Sequence, residues 1–382
     1  VALGIGVALC VGPLGALFLA GLEWATAARI AHPSVIVALP LAGAAITWVY
    51  QHYAGAAARG TPLAIDALRD GSYARVPRRT APLIVLGTIW THLFGGSVGR
   101  EGTAVQLGAG IATTVADALH VSAEDRGAVM LAGVSAGFAA VFGTPAAAIL
   151  FGLEAPRNTS TRFEQRLGAV VAAFGGDAIA RMFGARHTAF PRLPDLPLDI
   201  TLATKVALFG ICCGLLATAF ILLLTLGKRA FARIDAPPVR AFVGGALVLA
   251  VAVVFNARDY LGLSVPLAVA ALEGDSPPAY AFALKLGLTV LTLASGFVGG
   301  EVTPLFVTGA TFGHALGAPL GVDPTLLAAI GFVGVFAGAS RAPWTCAVMG
   351  IELFGAGGAP YLLLACVIAA LSARGKGLYS AH

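Results

Sequence analysis

The chain has 382 residues, with 24 Lys and Arg, 19 Asp and Glu, and a formal net charge of +5. A soluble domain of this length carries roughly 95 charged residues, about 25%, whereas here 11% are charged, 58% are hydrophobic and the mean hydropathy is +0.87. This excludes a disordered chain, a nucleic-acid binder and an ordinary cytosolic enzyme, and leaves an integral protein of the lipid bilayer.

In chain order, apolar stretches run over 1–23, 33–50, 80–96, 104–118, 126–153, 168–183, 201–227, 238–256, 279–300, 304–320, 325–354 and 360–373. Only some reach the roughly 20 residues needed to cross a bilayer, and many are broken by Gly or Pro. Irregular backbone at membrane depth is tolerated only where protein buries it or where it lines an aqueous cavity. Interrupted helices therefore point to a transport site. Three basic stretches, Arg69–Arg79, Arg157–Arg166 and Lys228–Arg240, hold 11 of the 24 basic residues and predict cytoplasmic loops. The 49 glycines let helix backbones approach closely in lipid. The cysteines Cys10, Cys212, Cys213, Cys346 and Cys366 lie in apolar stretches and read as buried thiols. The histidines are scattered, so neither a metal nor a cofactor is expected. The chain starts inside an apolar run without Met, which reads as a trimmed N-terminus.

An internal repeat organises the chain. Thr144-Pro145 runs to Gly152-Leu153-Glu154, and Ala342-Pro343 to Gly350-Ile351-Glu352, with nine positions from Pro to Glu in both. Upstream lie the glycine blocks Gly95-Gly96-Ser97-Val98 and Gly299-Gly300-Glu301-Val302. The spacing predicts two membrane repeats, 1–183 and 201–382, joined by a proline-rich linker, 184–200.

The first block continues as Gly99-Arg100-Glu101-Gly102-Thr103 into an apolar stretch. Backbone N–H groups and the positive helix end would then face whatever lies before them, which makes an anion site. Glu101 can itself be that anion, since an intramembrane carboxylate costs on the order of 2.5–3.5 kcal/mol at a helix centre and usually has a function or a partner. A simple Arg100–Glu101 pair at the membrane edge is the alternative. In the second block, Pro304 suits a first helical turn, with Glu301 and Thr303 just before it, either as a site or as a plain helix cap.

Together these blocks resemble the CLC family of anion channels and anion/proton antiporters, whose signatures include G-R-E-G-P and G-x-F-x-P. The final Gly375-Lys376-Gly377-Leu378-Tyr379-Ser380 is similar to the family segment that carries an anion-binding tyrosine; taken alone, Tyr379 also reads as an interfacial anchor. Thr103, and Glu301-Val302-Thr303 in the second motif, match the fluoride-exporting branch. The family's G-S-G-I-P motif has no clear copy. Its nearest positional match is Gly60-Thr61-Pro62, where Thr61 either replaces the serine or simply starts a helix. Glu154 matches the first acid of an internal acidic pair found in chloride/proton exchangers, and Ala155 replaces the second. Tyr361 reads as an ordinary interfacial tyrosine.

The resemblance implies an all-α, polytopic fold of two inverted-topology repeats, whose interrupted and tilted helices meet at a central anion site. It implies a fluoride/proton antiporter in a bacterial inner membrane, homodimeric with one pathway per subunit and without a cytoplasmic regulatory domain. Glu101 would be gate and proton carrier, and Glu301 would assist proton transfer or tune selectivity. Thr61, Gly102, Thr103, Val302, Thr303 and Tyr379 would bind the anion. A chloride channel or exchanger of the same fold is the alternative within transport. An intramembrane enzyme using Glu101 and Glu301 lacks an accompanying nucleophile–base set.

Overall fold

The computed structural model describes residues 1–156 and 163–379. Arg157 and Arg162 of the second basic stretch, and Ser380 of the terminal motif, lie outside them. The first half runs through α1 (Ala2–Ala31), α2 (Leu39–Tyr53), α3 (Thr61–Asp70), α4 (Thr80–Phe94), α5 (Glu101–Ala118), α6 (Arg126–Phe142), α7 (Pro145–Glu154) and α8 (Phe163–Met182). The second runs through α9 (Ile200–Phe231), α10 (Pro237–Val254), α11 (Val265–Glu273), α12 (Ala281–Ala294), α13 (Val302–Leu320), α14 (Pro324–Ser340), α15 (Pro343–Phe354) and α16 (Ala359–Ser372). Among the described residues the only β pairing is a single antiparallel bridge, Gly99 to Gly300.

Four described stretches are long and apolar enough to cross a bilayer: Ala2–Ala31, Pro33–Tyr53, Ile200–Phe231 and Pro237–Val254. They turn large apolar side chains outward, such as Leu9, Leu17, Leu41, Leu215, Leu222 and Val254. Lipid solvates such surface as well as protein does, so exposure here is no defect. The shorter helices pack inside, and every residue from Leu326 to Ser340 of α14 is buried.

Glycine pairs set the closest contacts. A Cβ on Gly108 of α5 would run into the carbonyl of Gly133 on α6, and one on Gly309 of α13 into that of Gly331 on α14. Without a hydrophobic drive between helices in lipid, such close approach supplies the packing energy. A ladder of Phe142, Phe306 and Phe332, with ring centroids 5.2 and 4.4 Å apart, ties α6 to α13 and α14.

The apolar stretches 126–153 and 325–354 each divide in two. Gly143 ends α6 at φ 78° and Arg341 ends α14 at φ 60°; both are left-handed. Arg341 is held there by hydrogen bonds to the carbonyls of Ala370 and Gly375 at 2.5 and 3.0 Å. The resulting short helices α7 and α15 cap one another. Glu154 accepts from the N–H groups of Trp344 and Thr345 at 3.1 and 2.7 Å. Glu352 accepts from those of Ala146 and Ala147, both at 2.9 Å. The α3 and α11 helices fall outside the apolar stretches: α3 carries Asp66, Arg69 and Asp70, and α11 is only 9 residues long.

The proline-rich segment is not a free tether. The N–H groups of Leu193 and Leu196 bond the carbonyls of Phe354 and Gly357 at 2.7 and 3.1 Å. Tyr361, expected at the interface, is instead buried at 1% exposure; its hydroxyl donates to Pro197 O at 2.6 Å and accepts from Asp199 N–H at 2.9 Å. Two cysteines also depart from expectation, since Cys10 is exposed on α1 and Cys212 is half-buried on α9.

Candidate functional site

The two glycine loops meet in the interior. Gly95 ends α4 with φ 94°, a left-handed turn that glycine adopts without strain, and redirects the chain toward α5. The Gly99 and Gly300 backbones then exchange hydrogen bonds of 2.5 and 2.9 Å. That bridge sets the N-terminus of α5 against the N-terminus of α13, so two sets of unpaired N–H groups converge.

Glu101 occupies the meeting point and is fully buried. Its Oε2 accepts from the Thr303 N–H at 2.9 Å, from the Thr303 hydroxyl, and from the Arg100 N–H at 3.3 Å. The Arg100 Nε lies 3.6 Å from Oε1, and Oε1 itself has no hydrogen-bond partner. The Arg100–Glu101 pair is therefore real, but the hydrogen bonds come mainly from Thr303 on the other half of the chain. Chemically, a carboxylate sits where backbone and hydroxyl donors at a helix start would hold an anion.

Thr61, Gly102 and Glu301 gather on one side. A Cβ on Gly102 would stand 2.9 Å from Thr61 Oγ1 and 3.7 Å from Glu301 Oε2, so only glycine fits without displacing a neighbour. The Thr61 hydroxyl donates to Gly102 O at 3.3 Å and accepts from Gln106 Nε2 at 3.2 Å. The Thr103 hydroxyl turns away and pairs with Thr88 Oγ1 at 2.7 Å. Val302 is buried at the first position of α13. Tyr379 is buried with its ring edge-on to Phe151, centroids 5.6 Å apart. Its hydroxyl reaches the Glu301 carboxylate and interacts with it. The Arg69 Nη2 holds the Tyr379 carbonyl at 2.5 Å and its Nε holds Pro156 O at 2.7 Å.

Two cavities flank the meeting point. One, of about 340 Å³, reaches Arg59, Thr61, Gln106, Lys228, Glu301 and Leu378. The other, of about 580 Å³, reaches Arg29, Arg100 and Ser264. They lie on opposite faces: Lys285, early in α12, bonds Ser264 of the larger one, whereas Leu293 and Ala294 at the end of α12 line the smaller.

Sequence reasoning passes over Lys285. It is fully buried, and its ammonium donates to Ser97 Oγ (2.9 Å), Tyr260 O (3.2 Å), Gly262 O (2.7 Å) and Ser264 Oγ (2.9 Å). Through Ser97 it anchors the first glycine loop. A lone Lys in the apolar stretch 279–300 was the available signal. Thr88 carried none, since a threonine in an apolar helix is ordinary. Among the described residues, no group of three or more His, Cys, Asp or Glu is arranged to hold a metal ion.

Comparison with known proteins gives the site its context. A family model described as "Voltage gated chloride channel" matches residues 42–374. A chloride/fluoride channel protein of Pseudomonas syringae pv. tomato is 40% identical over 98% of this chain and 84% of its own length. An H(+)/Cl(-) exchange transporter ClcA of Vibrio cholerae serotype O1 is 26% identical over 78% of this chain and 67% of its own length. Among solved structures, a CLC-type fluoride/proton antiporter matches with TM-score 0.93 and 31% identity, covering 99% of this chain and 96% of that one. A slow cyanobacterial Cl-/H+ antiporter, 20% identical with TM-score 0.83 over 99% and 95% of the two chains, shares the fold. The chain is a multi-pass membrane protein that belongs to the CLC, or voltage-gated chloride channel, family.

Proposed function

We propose that this protein is a secondary active transporter that exports fluoride in exchange for protons, with Glu101 as both gate and proton carrier. The observation that carries the reading is the seat of the Glu101 carboxylate on the N–H and hydroxyl of Thr303. Fluoride is small and strongly hydrated, so a dry path must offer close donors in place of its water shell. Deprotonated Glu101 takes those donors and blocks the path. Protonated, it loses its claim on them, swings away and admits fluoride. One group that holds either a proton or the anion position couples the two fluxes, and protons moving inward drive fluoride out. Similarity to the CLC-type fluoride/proton antiporter supports this choice of ions.

Val302 and Thr303 of α13, with Thr61, Gly102, Thr103 and Tyr379, form the anion path in this reading. Thr103 contributes backbone, since its hydroxyl is engaged by Thr88. Glu301, lining the smaller cavity, relays the proton or tunes selectivity. Glu154 is committed to capping α15, which leaves the proton to Glu101 and Glu301. The halves 1–183 and 201–382 act as repeats around the site, with 184–200 joining them. The smaller cavity faces the cytoplasm, because Arg69–Arg79 and Lys228–Arg240 lie toward it. The protein works as a homodimer in a bacterial inner membrane, one pathway per subunit, and is not an enzyme.

Reconstituted liposomes with fluoride, chloride and proton electrodes test this. Wild type should move fluoride uphill on a proton gradient, and Glu101→Gln should move fluoride without protons. Coupled proton movement in Glu101→Gln sinks the gate assignment. Glu301→Gln with unchanged coupling and selectivity makes Glu301 a structural cap. Preference for chloride over fluoride returns the protein to the chloride-transporting reading.

A further inference from the structure

Gln106 stands just over one turn beyond Glu101 on α5; it is buried and lines the smaller cavity with Thr61 and Glu301. Its Nε2 donates to Thr61 Oγ1 and to Gly102 O, both at 3.2 Å. Gly102 O can only accept, so the nitrogen end of the amide must face it, and both amide hydrogens are spent on this pair. Thr61 opens α3 after the left-handed Gly60, φ 69°, so no earlier carbonyl of its own helix claims its hydroxyl. That hydroxyl goes instead to Gly102 O, at 3.3 Å. Three donors therefore converge on Gly102 O: the Gln106 amide, the Thr61 hydroxyl, and the Gln106 backbone N–H in the i→i−4 pattern of α5. A carbonyl oxygen has two lone pairs. The Thr61 hydroxyl is the surplus donor and leaves at little cost. A hydroxyl that accepts one hydrogen bond also donates a stronger one. Gln106 thus keeps Gly102 O satisfied without Thr61 and polarises the Thr61 O–H bond. Filling space beside α3 would call for neither amide hydrogen.

We propose that Gln106 is a positioning residue that frees the Thr61 hydroxyl proton for fluoride. When the ion arrives, the Thr61 O–H turns from Gly102 O to it, while the two amide hydrogens stay on Thr61 Oγ1 and Gly102 O. Without the amide, Gly102 O is left with one backbone donor and keeps the hydroxyl for itself. The ion then meets the lone pairs of Thr61 rather than its proton. Fluoride suffers from that exchange because it is small and gives up a tightly held water shell. The proposal rests on the fluoride-transport reading given above, and Gln106 acts in it only through Thr61.

Initial fluoride flux through the full chain in liposomes, followed across fluoride concentrations, decides it. Gln106→Met keeps the volume and loses both amide hydrogens. It should raise the fluoride KM about tenfold, the usual loss for one charge-assisted donor. The maximal rate should change by less than about twofold, as when binding alone is lost. Thr61→Val should raise KM to a similar extent. Because Gln106 acts through Thr61, Gln106→Met added to Thr61→Val should raise KM no further. Gln106→Asn leaves an amide in the cavity that is about 1.5 Å short of both oxygens; it should match Gln106→Met, and serves if that protein does not fold. A wild-type KM in the folded Gln106 variants, with only the melting temperature or the maximal rate lowered, overturns the proposal. So do effects of Gln106→Met and Thr61→Val that multiply in the double variant. A wild type that moves chloride and no fluoride sinks the transport reading instead, and the chloride KM of the same variants then still tells whether Gln106 acts through Thr61.

Discussion

Replacing Thr303 with Val removes a single oxygen from the contact on which the proposed coupling depends. The side chain keeps its shape, and the Thr303 N–H still reaches Glu101 Oε2 at 2.9 Å. What disappears is one of the three donors to that oxygen, the others being the backbone N–H groups of Thr303 and Arg100. A hydrogen bond to a charged group is worth about 1.5–3 kcal/mol, and about 1.4 kcal/mol is a factor of ten. The docked state of deprotonated Glu101 should therefore lose about 10- to 100-fold against its undocked states. Arg100 N–H also loses its 3.3 Å contact to the hydroxyl, but it retains Glu101. Fluoride would then pass during part of the cycle in which the gate carries no proton. The assay is the ratio of fluoride to proton flux in liposomes, measured from initial rates on both electrodes. Thr303→Val should raise that ratio at least severalfold, whereas Thr303→Ser, which keeps the hydroxyl, should stay near wild type. A Thr303→Val protein with reduced rate but wild-type ratio would refute the idea that this hydroxyl holds the gate.

Lys285→Met should lower the detergent melting temperature by several degrees. The buried carbonyls of Tyr260 and Gly262 lose their donor, and each orphaned acceptor costs about 1–3 kcal/mol; an unshifted melting curve would contradict this. Glu352→Ala uncaps α7 and should cost about 0.5–2 kcal/mol, read as a smaller thermal shift with the flux ratio preserved. Glu154→Ala should cost a similar amount at α15, and the double substitution should sum the two within about 0.5 kcal/mol. A strongly non-additive pair would mean that the two caps act as one unit.

The membrane class, the interrupted helices and the two glycine–acid loops were legible in the sequence. Each is local: a scarcity of charge, a Gly or Pro in an apolar run, an acid beside a helix start. The spacing that matched Glu154 with Glu352 was legible as well, but its meaning was not. Each acid caps the other's helix, and only antiparallel packing of α7 against α15 creates that exchange. Tyr361 illustrates the reverse failure. An aromatic with a polar tip suits an interface equally well, and burial was decided by the 184–200 segment folding back over α15 and α16.

The sequence by itself determined that an acid would stand at the start of a helix within the membrane. Burial in lipid obliges such an acid to find donors, and only a few residue types can supply them. Which donors it found was decided by tertiary structure alone. The Gly99–Gly300 bridge brings two helix starts together, so the carboxylate of Glu101 meets a threonine 202 positions away rather than closing on Arg100 alone. Side-chain direction was decided in the same way: Thr103 and Thr303 both lie in the first turn of their helices, yet packing turns one hydroxyl to Thr88 and the other to Glu101.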